Sequence, residues 1–135
     1  MKTIVTYSLL LAFAGFFTNK AHAQASDLYI YNTTECYFTI GYYAHDCLPD
    51  GCGGPTVCIS PGTNIIPPCG GVNLEWMTND IVPTDSDCQP CDAYGSTVER
   101  MITCGVGSNL SPIINTCGCG EVEVSYISDH EILIR

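Results

Sequence analysis

The chain has 135 residues, ten of them cysteine, with 14 acidic and 4 basic side chains and a formal net charge of −10. Two of the four basic residues, Lys2 and Lys20, lie within the first 23 positions, so residues 24–135 set Arg100 and Arg135 against 14 carboxylates, a net charge of −12, and contain no lysine. Such a surface repels phosphate backbones and anionic headgroups, which excludes nucleic acid as a partner and argues against electrostatic attachment to a membrane; it also removes amine nucleophiles and phosphate-cradling lysines.

The N-terminus carries Lys2, a mostly apolar run over residues 4–17, the polar closure Thr18, Asn19 and Lys20, and small residues at Ala21 and Ala23. This is the pattern of a secretory signal peptide cut after Ala23, with a cut after Ala25 as a lesser alternative. The run of 14 residues is shorter than the roughly 20 that a helix needs to cross a bilayer, so membrane insertion is not expected. With no cysteine at the cleavage site, lipid anchoring there is not expected either. Residues 1–23 are therefore read as the signal, and residues 24–135 as a single disulfide-stabilised β domain of secreted or periplasmic location.

Residues 28–43 alternate with period two. Leu28, Ile30, Cys36, Phe38 and Ile40 form one set, Tyr29, Tyr31, Tyr37, Thr39 and Tyr43 the other. The pattern predicts a β-hairpin with an aliphatic core face and a tyrosine-lined outer face, turning at Asn32, Thr33 and Thr34. A three-residue connection would set Ile30 opposite Cys36, a five-residue one opposite Phe38. Residues 46–55 are turn chemistry stapled by Cys47 and Cys52; residues 56–60 form a short strand, and Pro61, Gly62, Thr63 and Asn64 turn the chain into the apolar Ile65 and Ile66. Residues 71–77 read as a strand in which Val72, Leu74 and Trp76 alternate with Asn73 and Glu75, placing the tryptophan in the core.

Residues 79–92 read as a long acidic loop carrying Asp80, Asp85, Asp87 and Asp92. A strand follows over residues 97–104, where Arg100 shares the side of Val98 and Ile102 and breaks the pattern. Pro112 confines residues 110–115 to an edge strand or a loop. Residues 121–127 alternate cleanly, and Ser128 and Asp129 turn them into residues 131–135 as a terminal hairpin. Short strands punctuated by Gly, Pro and Asn, without helical periodicity after the signal, predict an all-β fold. The expected form is a small disulfide-rich antiparallel β-sandwich of immunoglobulin-like architecture, with a barrel as the alternative.

Cys36, Cys47, Cys52, Cys58, Cys69, Cys88, Cys91, Cys104, Cys117 and Cys119 all follow the signal, and their density is that of a disulfide scaffold with up to five bridges. Connectivity is open, except that Cys117 and Cys119 should take separate partners and Cys36, on the core face, should bridge to another strand. Cys88-Gln89-Pro90-Cys91 has the spacing of a thioredoxin-type redox pair but no helix or βαβ unit around it, so structural cystine is the preferred reading. Cys88, Cys91, Cys117 and Cys119 could supply four zinc thiolates, yet an oxidising destination favours disulfides. The acidic loop lacks the full spacing of any calcium motif, and a solvated loop is preferred to a calcium site.

No catalytic residue, metal or cofactor is assigned. His45 and His130 sit in no nucleophile or metalloprotease motif, and Glu121 and Glu123 read as the exposed face of a strand. Asn32 and Asn109 open N-glycosylation acceptor patterns. The expected function is a non-enzymatic binding or adhesive module, with Tyr29, Tyr31, Tyr37 and Tyr43 as the candidate contact residues for a glycan or protein ligand. A secreted inhibitor or effector acting through Cys-tethered loops is the alternative, and a small extracellular hydrolase a distant third.

Overall fold

Alternation of apolar and polar residues gives each strand one face that must be buried, and the chain satisfies this with two sheets packed over a shared core. The computed structural model describes residues 26–45, 51–69, 74–91 and 93–135. Residues 1–23, read above as a signal, and Cys47, Val72 and Asp92 lie outside these. Among the described residues the strands are β1 (Leu28–Asn32), β2 (Tyr37–His45), β3 (Gly51–Gly53), β4 (Val57–Ile59), β5 (Gly62–Ile66), β6 (Glu75–Thr84), β7 (Ser96–Glu99), β8 (Ile113–Asn115), β9 (Glu121–Ser128) and β10 (Glu131–Ile134). The first sheet has the order β5-β1-β10-β9-β8; the second has β3-β2-β6-β7, with β4 also pairing with β2. Both sheets keep open edges, so the barrel alternative is not realised.

The expected opening hairpin does not form. β1 pairs with β5 on one side and, in parallel, with β10 on the other, which leaves no edge for β2. Residues 33–36 instead arch from the first sheet to the second. The arch is held by Asn32, whose Nδ2 donates to Cys36 O at 2.7 Å and whose Oδ1 accepts from the Thr34 amide at 3.1 Å. Period two is satisfied equally by two strands side by side and by two strands facing each other across a core. The face assignment therefore stands: Leu28, Ile30, Cys36, Phe38 and Ile40 are all buried. The parallel β1/β10 pair also makes the first sheet mixed rather than purely antiparallel.

The core gathers Leu28, Ile30, Val124, Ile132 and Ile134 from the first sheet and Phe38, Ile40, Trp76, Ile81 and Val98 from the second. Trp76 is buried as expected, with Nε1 donating to Ser26 O at 2.8 Å, and Tyr42 meets it edge-on at 5.7 Å. β6 runs on through residues 79–84, where a loop was expected. The reason is a bulge: Ala44 pairs with Trp76 but Tyr43 with Thr78, so Met77 is an extra residue. The bulge shifts the inward phase from Trp76 to Asn79 and Ile81, which conceals the strand from a period-two reading. The terminal β9/β10 hairpin is present as expected.

Four bridges join the described cysteines: Cys36–Cys119, Cys52–Cys69, Cys58–Cys88 and Cys91–Cys117. Cys104 is also disulfide-bonded. Cys117 and Cys119 take separate partners, as expected. Cys36, however, bridges to the turn between β8 and β9 rather than to a strand. Two of the bridges, Cys36–Cys119 and Cys91–Cys117, tie that turn of the first sheet to segments flanking the second. Disulfides at this density belong to an oxidising, extracellular or periplasmic setting.

Candidate functional site

The arch divides the four candidate tyrosines. Tyr29 and Tyr31 lie on β1 and face outward from the first sheet, whereas Tyr37 and Tyr43 lie on β2 and face outward from the second. They are not one surface. The strand registers show what accompanies each pair. On the first sheet, Ile65, Tyr29 and Glu131 stand side by side across β5, β1 and β10; in the next row Thr63, Tyr31, Leu133 and Ser125 do the same. Ile65 is 56% exposed, Ile113 on β8 is 68% exposed, and Ile127, at the bulge where β9 meets β10, is 51% exposed.

Glu131 is fixed within this surface. Tyr31 donates its hydroxyl to Glu131 Oε1 at 3.0 Å, and Tyr29 meets His130 edge-on at 6.2 Å. Hydrogen bonds from Ser128 and then Tyr31 hold the Glu131 carboxyl below the usual glutamate range, and the same bond to Glu131 raises the Tyr31 phenol. On the same face Arg135 pairs with Glu123 at 2.9 Å.

The corresponding surface of the second sheet is richer in threonine and glycine, with Val82, Tyr37 and Tyr43 also facing outward. Thr39 lies between Cys58 and Val82, Asp80 between Gly41 and Thr97, and Tyr43 between Gly53 and Thr78. Asp80 accepts from Thr97 Oγ1 at 2.7 Å. Tyr43 lies so close over β3 that a Cβ on Gly51 would meet its hydroxyl, which makes its ring a cover for the backbone beneath.

A groove of about 390 Å³ opens where the edges β7 and β8 diverge, lined by Ala93, Tyr94, Gly95, Ser96, Ile113, Ile114 and Asn115. Its walls meet at one end through the paired backbones of Glu99 and Leu110. The Cys91–Cys117 bridge joins the segments just beyond them at the other end. Tyr94 in this lining is 91% exposed.

Between the sheets lies a polar cluster around Arg100, the residue that broke the expected pattern. Its Nη1 donates to Trp76 O at 2.9 Å and pairs with Glu75 at 3.4 Å, and its Nη2 pairs with Asp129 at 3.3 Å. Nearby, Asn79 Nδ2 donates to the Tyr126 hydroxyl. Burial pushes the Tyr126 phenol far up, against smaller opposing effects from Arg100 and Asn79. Asn79 Oδ1 and Thr84 Oγ1 are buried with no hydrogen-bond partner among the described residues. This cluster joins the two sheets, with the Arg100 side chain 12% exposed and its partner Asp129 open to solvent.

The remaining candidates separate clearly. Cys88 and Cys91 bond to Cys58 and Cys117, not to each other, so they are no redox pair, and all four sulfurs of the zinc set are in disulfides. Asp85 Oδ1 accepts the amides of Asp87 and Gln89, each at 2.9 Å, capping its own turn. Among the described residues no three His, Cys, Asp or Glu gather to hold a metal, and no helix is long and apolar enough to cross a membrane. Of the two glycosylation patterns, Asn32 is buried and occupied in the arch, while Asn109 is exposed and accepts the Met101 amide at 3.0 Å.

Reading the sequence for tyrosines alone misses Ile65, Ile113, Ile127, Leu133 and Glu131. A signal was present in Ile65-Ile66 and Ile113-Ile114: on a strand, two adjacent isoleucines must put one outward. No protein family matches the chain, and no curated protein or solved structure is significantly similar to it.

Proposed function

We propose that the chain is an exported, non-enzymatic binding module on a sandwich of immunoglobulin-like architecture, and that its ligand face is the outer face of the first sheet. The observation that carries this reading is the combination of Tyr29, Tyr31, Ile65, Leu133 and Ile113 on one open sheet surface. Apolar area left on an exported domain marks an interaction surface more often than chance exposure does when it is contiguous. Tyrosine suits such a surface, offering flat area and a hydroxyl at little rotamer cost.

The test compares two double variants, Y29S/Y31S on the first sheet and Y37S/Y43S on the second. Both are checked for fold by near-UV circular dichroism and screened with the unaltered protein against a glycan array and a panel of extracellular proteins. The expected result is a ligand retained by the unaltered protein and by Y37S/Y43S and lost by Y29S/Y31S. Loss in Y37S/Y43S alone would move the site to the second sheet.

A further inference from the structure

We propose that Glu131, set beside Tyr29 and Tyr31, anchors a lysine or arginine side chain of a basic partner polypeptide laid across the outer face of the first sheet. The inference rests on the reading of that face as the ligand surface and goes further by naming the partner's chemistry.

Three observations lead there. The first is geometric. Tyr29 and Tyr31 sit two residues apart on one strand, so their rings rise from the same face roughly 7 Å apart, and Glu131 is the cross-strand neighbour of Tyr29 and the hydrogen-bond acceptor of Tyr31. A carboxylate beside aromatic faces recognises an ammonium or guanidinium group twice over, by charge and through the ring quadrupole. The second is preorganisation. Tyr31 and Ser128 hold the carboxylate in place, so a ligand does not have to order it. Ile65 and Leu133 flank the pair and suit the aliphatic stem of a long cationic side chain.

The third observation is charge. Residues 24–135 carry −12 with no lysine, and both arginines are already in ion pairs, Arg135 with Glu123 and Arg100 with Glu75 and Asp129. Among the described residues, the charged groups around the anchor are Glu131 itself, Asp129 in the adjoining turn and the Arg135–Glu123 pair further along β10 and β9, with the His130 ring against Tyr29. An acidic or sulfated ligand would meet repulsion here, and a basic polypeptide would be drawn in by the whole field.

The probes are a synthetic peptide alternating lysine and valine, its glutamate-for-lysine counterpart, and a neutral oligosaccharide. Each is titrated into the isotope-labelled, disulfide-intact protein and followed by amide and side-chain chemical shifts. The expected result is saturable binding of the lysine peptide alone, with shifts centred on Tyr29, Tyr31, Glu131 and Leu133 and weakening as salt is raised. Glu131→Gln, which keeps an oxygen for the Tyr31 hydroxyl, should weaken it about fivefold, the scale of one exposed ion pair with a cation–π contribution.

Equal affinity in Glu131→Gln, or shifts centred on Asp85 and Asp87, would overturn the anchor. Neutral oligosaccharide binding at Tyr29 and Tyr31, unaffected by Glu131→Gln, would overturn the basic partner while leaving the ligand face standing. Saturable lysine-peptide binding centred on the second sheet would overturn both.

Discussion

The two sheets are built on the same alternation yet present different outer surfaces. The second sheet shows threonine, aspartate and glycine, carries its tyrosine ring against β3, and is tied to loops by Cys52–Cys69 and Cys58–Cys88. The first sheet sets tyrosine, isoleucine and leucine among Glu131, Thr63, Ser125 and the Arg135–Glu123 pair, and the two bridges that reach it attach at the β8–β9 turn, outside its strands. Among the described residues no bridge attaches within a strand of the first sheet, whereas Cys52 and Cys58 lie on β3 and β4 of the second. The difference teaches that the outward half of a strand pattern carries information of its own: the inward set says what the core holds, and the outward set what each face offers to its surroundings.

The largest effect that bears on this contrast concerns the staples. Removing the bridge between the sheets in C36S/C119S releases a loop of sequence separation 83 and should cost about 4 to 5 kcal/mol on the chain-entropy scale, against about 3 kcal/mol for C52S/C69S, whose separation is 17. Urea unfolding of the two variants measures both, and the reverse ranking would show that the layers are not locked at that end. Next comes the covered tyrosine. Gly51→Ala places a Cβ against the Tyr43 hydroxyl and 3.1 Å from Ala44 O, so it should cost about 1 to 2 kcal/mol as the ring is displaced. Ser substitution at Tyr31 should leave stability nearly unchanged.

Tyr126 tests the polar contact between the layers. Tyr126→Phe should lose about 1 kcal/mol at neutral pH, leaving Asn79 with no hydroxyl to bond. Its folded-state pKa lies above the unfolded value of 10.0, so the native protein holds this proton where the unfolded chain releases it. The contribution is therefore complete below about pH 10 and lost as pH rises further. Urea midpoints from pH 8 to 11 should fall for the native sequence and fall less for Tyr126→Phe. The smallest effect belongs to Glu131, whose folded pKa is depressed from 4.5. Its contribution is present above that pH and lost as pH falls, and it should vanish in Glu131→Gln.

What the sequence made legible follows from what alternation encodes. The inward residues of β1, β2 and β9, the burial of Trp76 and the β9/β10 hairpin were readable, because each depends only on local period two and a short turn. Which strands pair was not: Leu28 and Phe38 are equally well buried by a hairpin or by an arch, and the pairing of β1 with β10 spans nearly the whole chain. The Met77 bulge hid half of β6 by reversing its phase. Asn79 and Asp80 looked like loop residues because their partners, Tyr126 and Thr97, are distant in sequence. Of the proposed site, Tyr29 and Tyr31 are in the sequence reading, which joined Tyr37 and Tyr43 to them through the expected hairpin, while Glu131 lay unremarked because its company comes from a parallel neighbour.

The central claim is that ligand meets the first sheet and not the second, and tyrosine footprinting reads this directly. The folded protein is nitrated with and without the ligand retained in the screen, and each tyrosine is quantified by peptide mass spectrometry. The account predicts that ligand protects Tyr29 and Tyr31 and leaves Tyr37, Tyr43 and the exposed Tyr94 unchanged. Protection of Tyr37 and Tyr43 with Tyr29 and Tyr31 unaffected would contradict it.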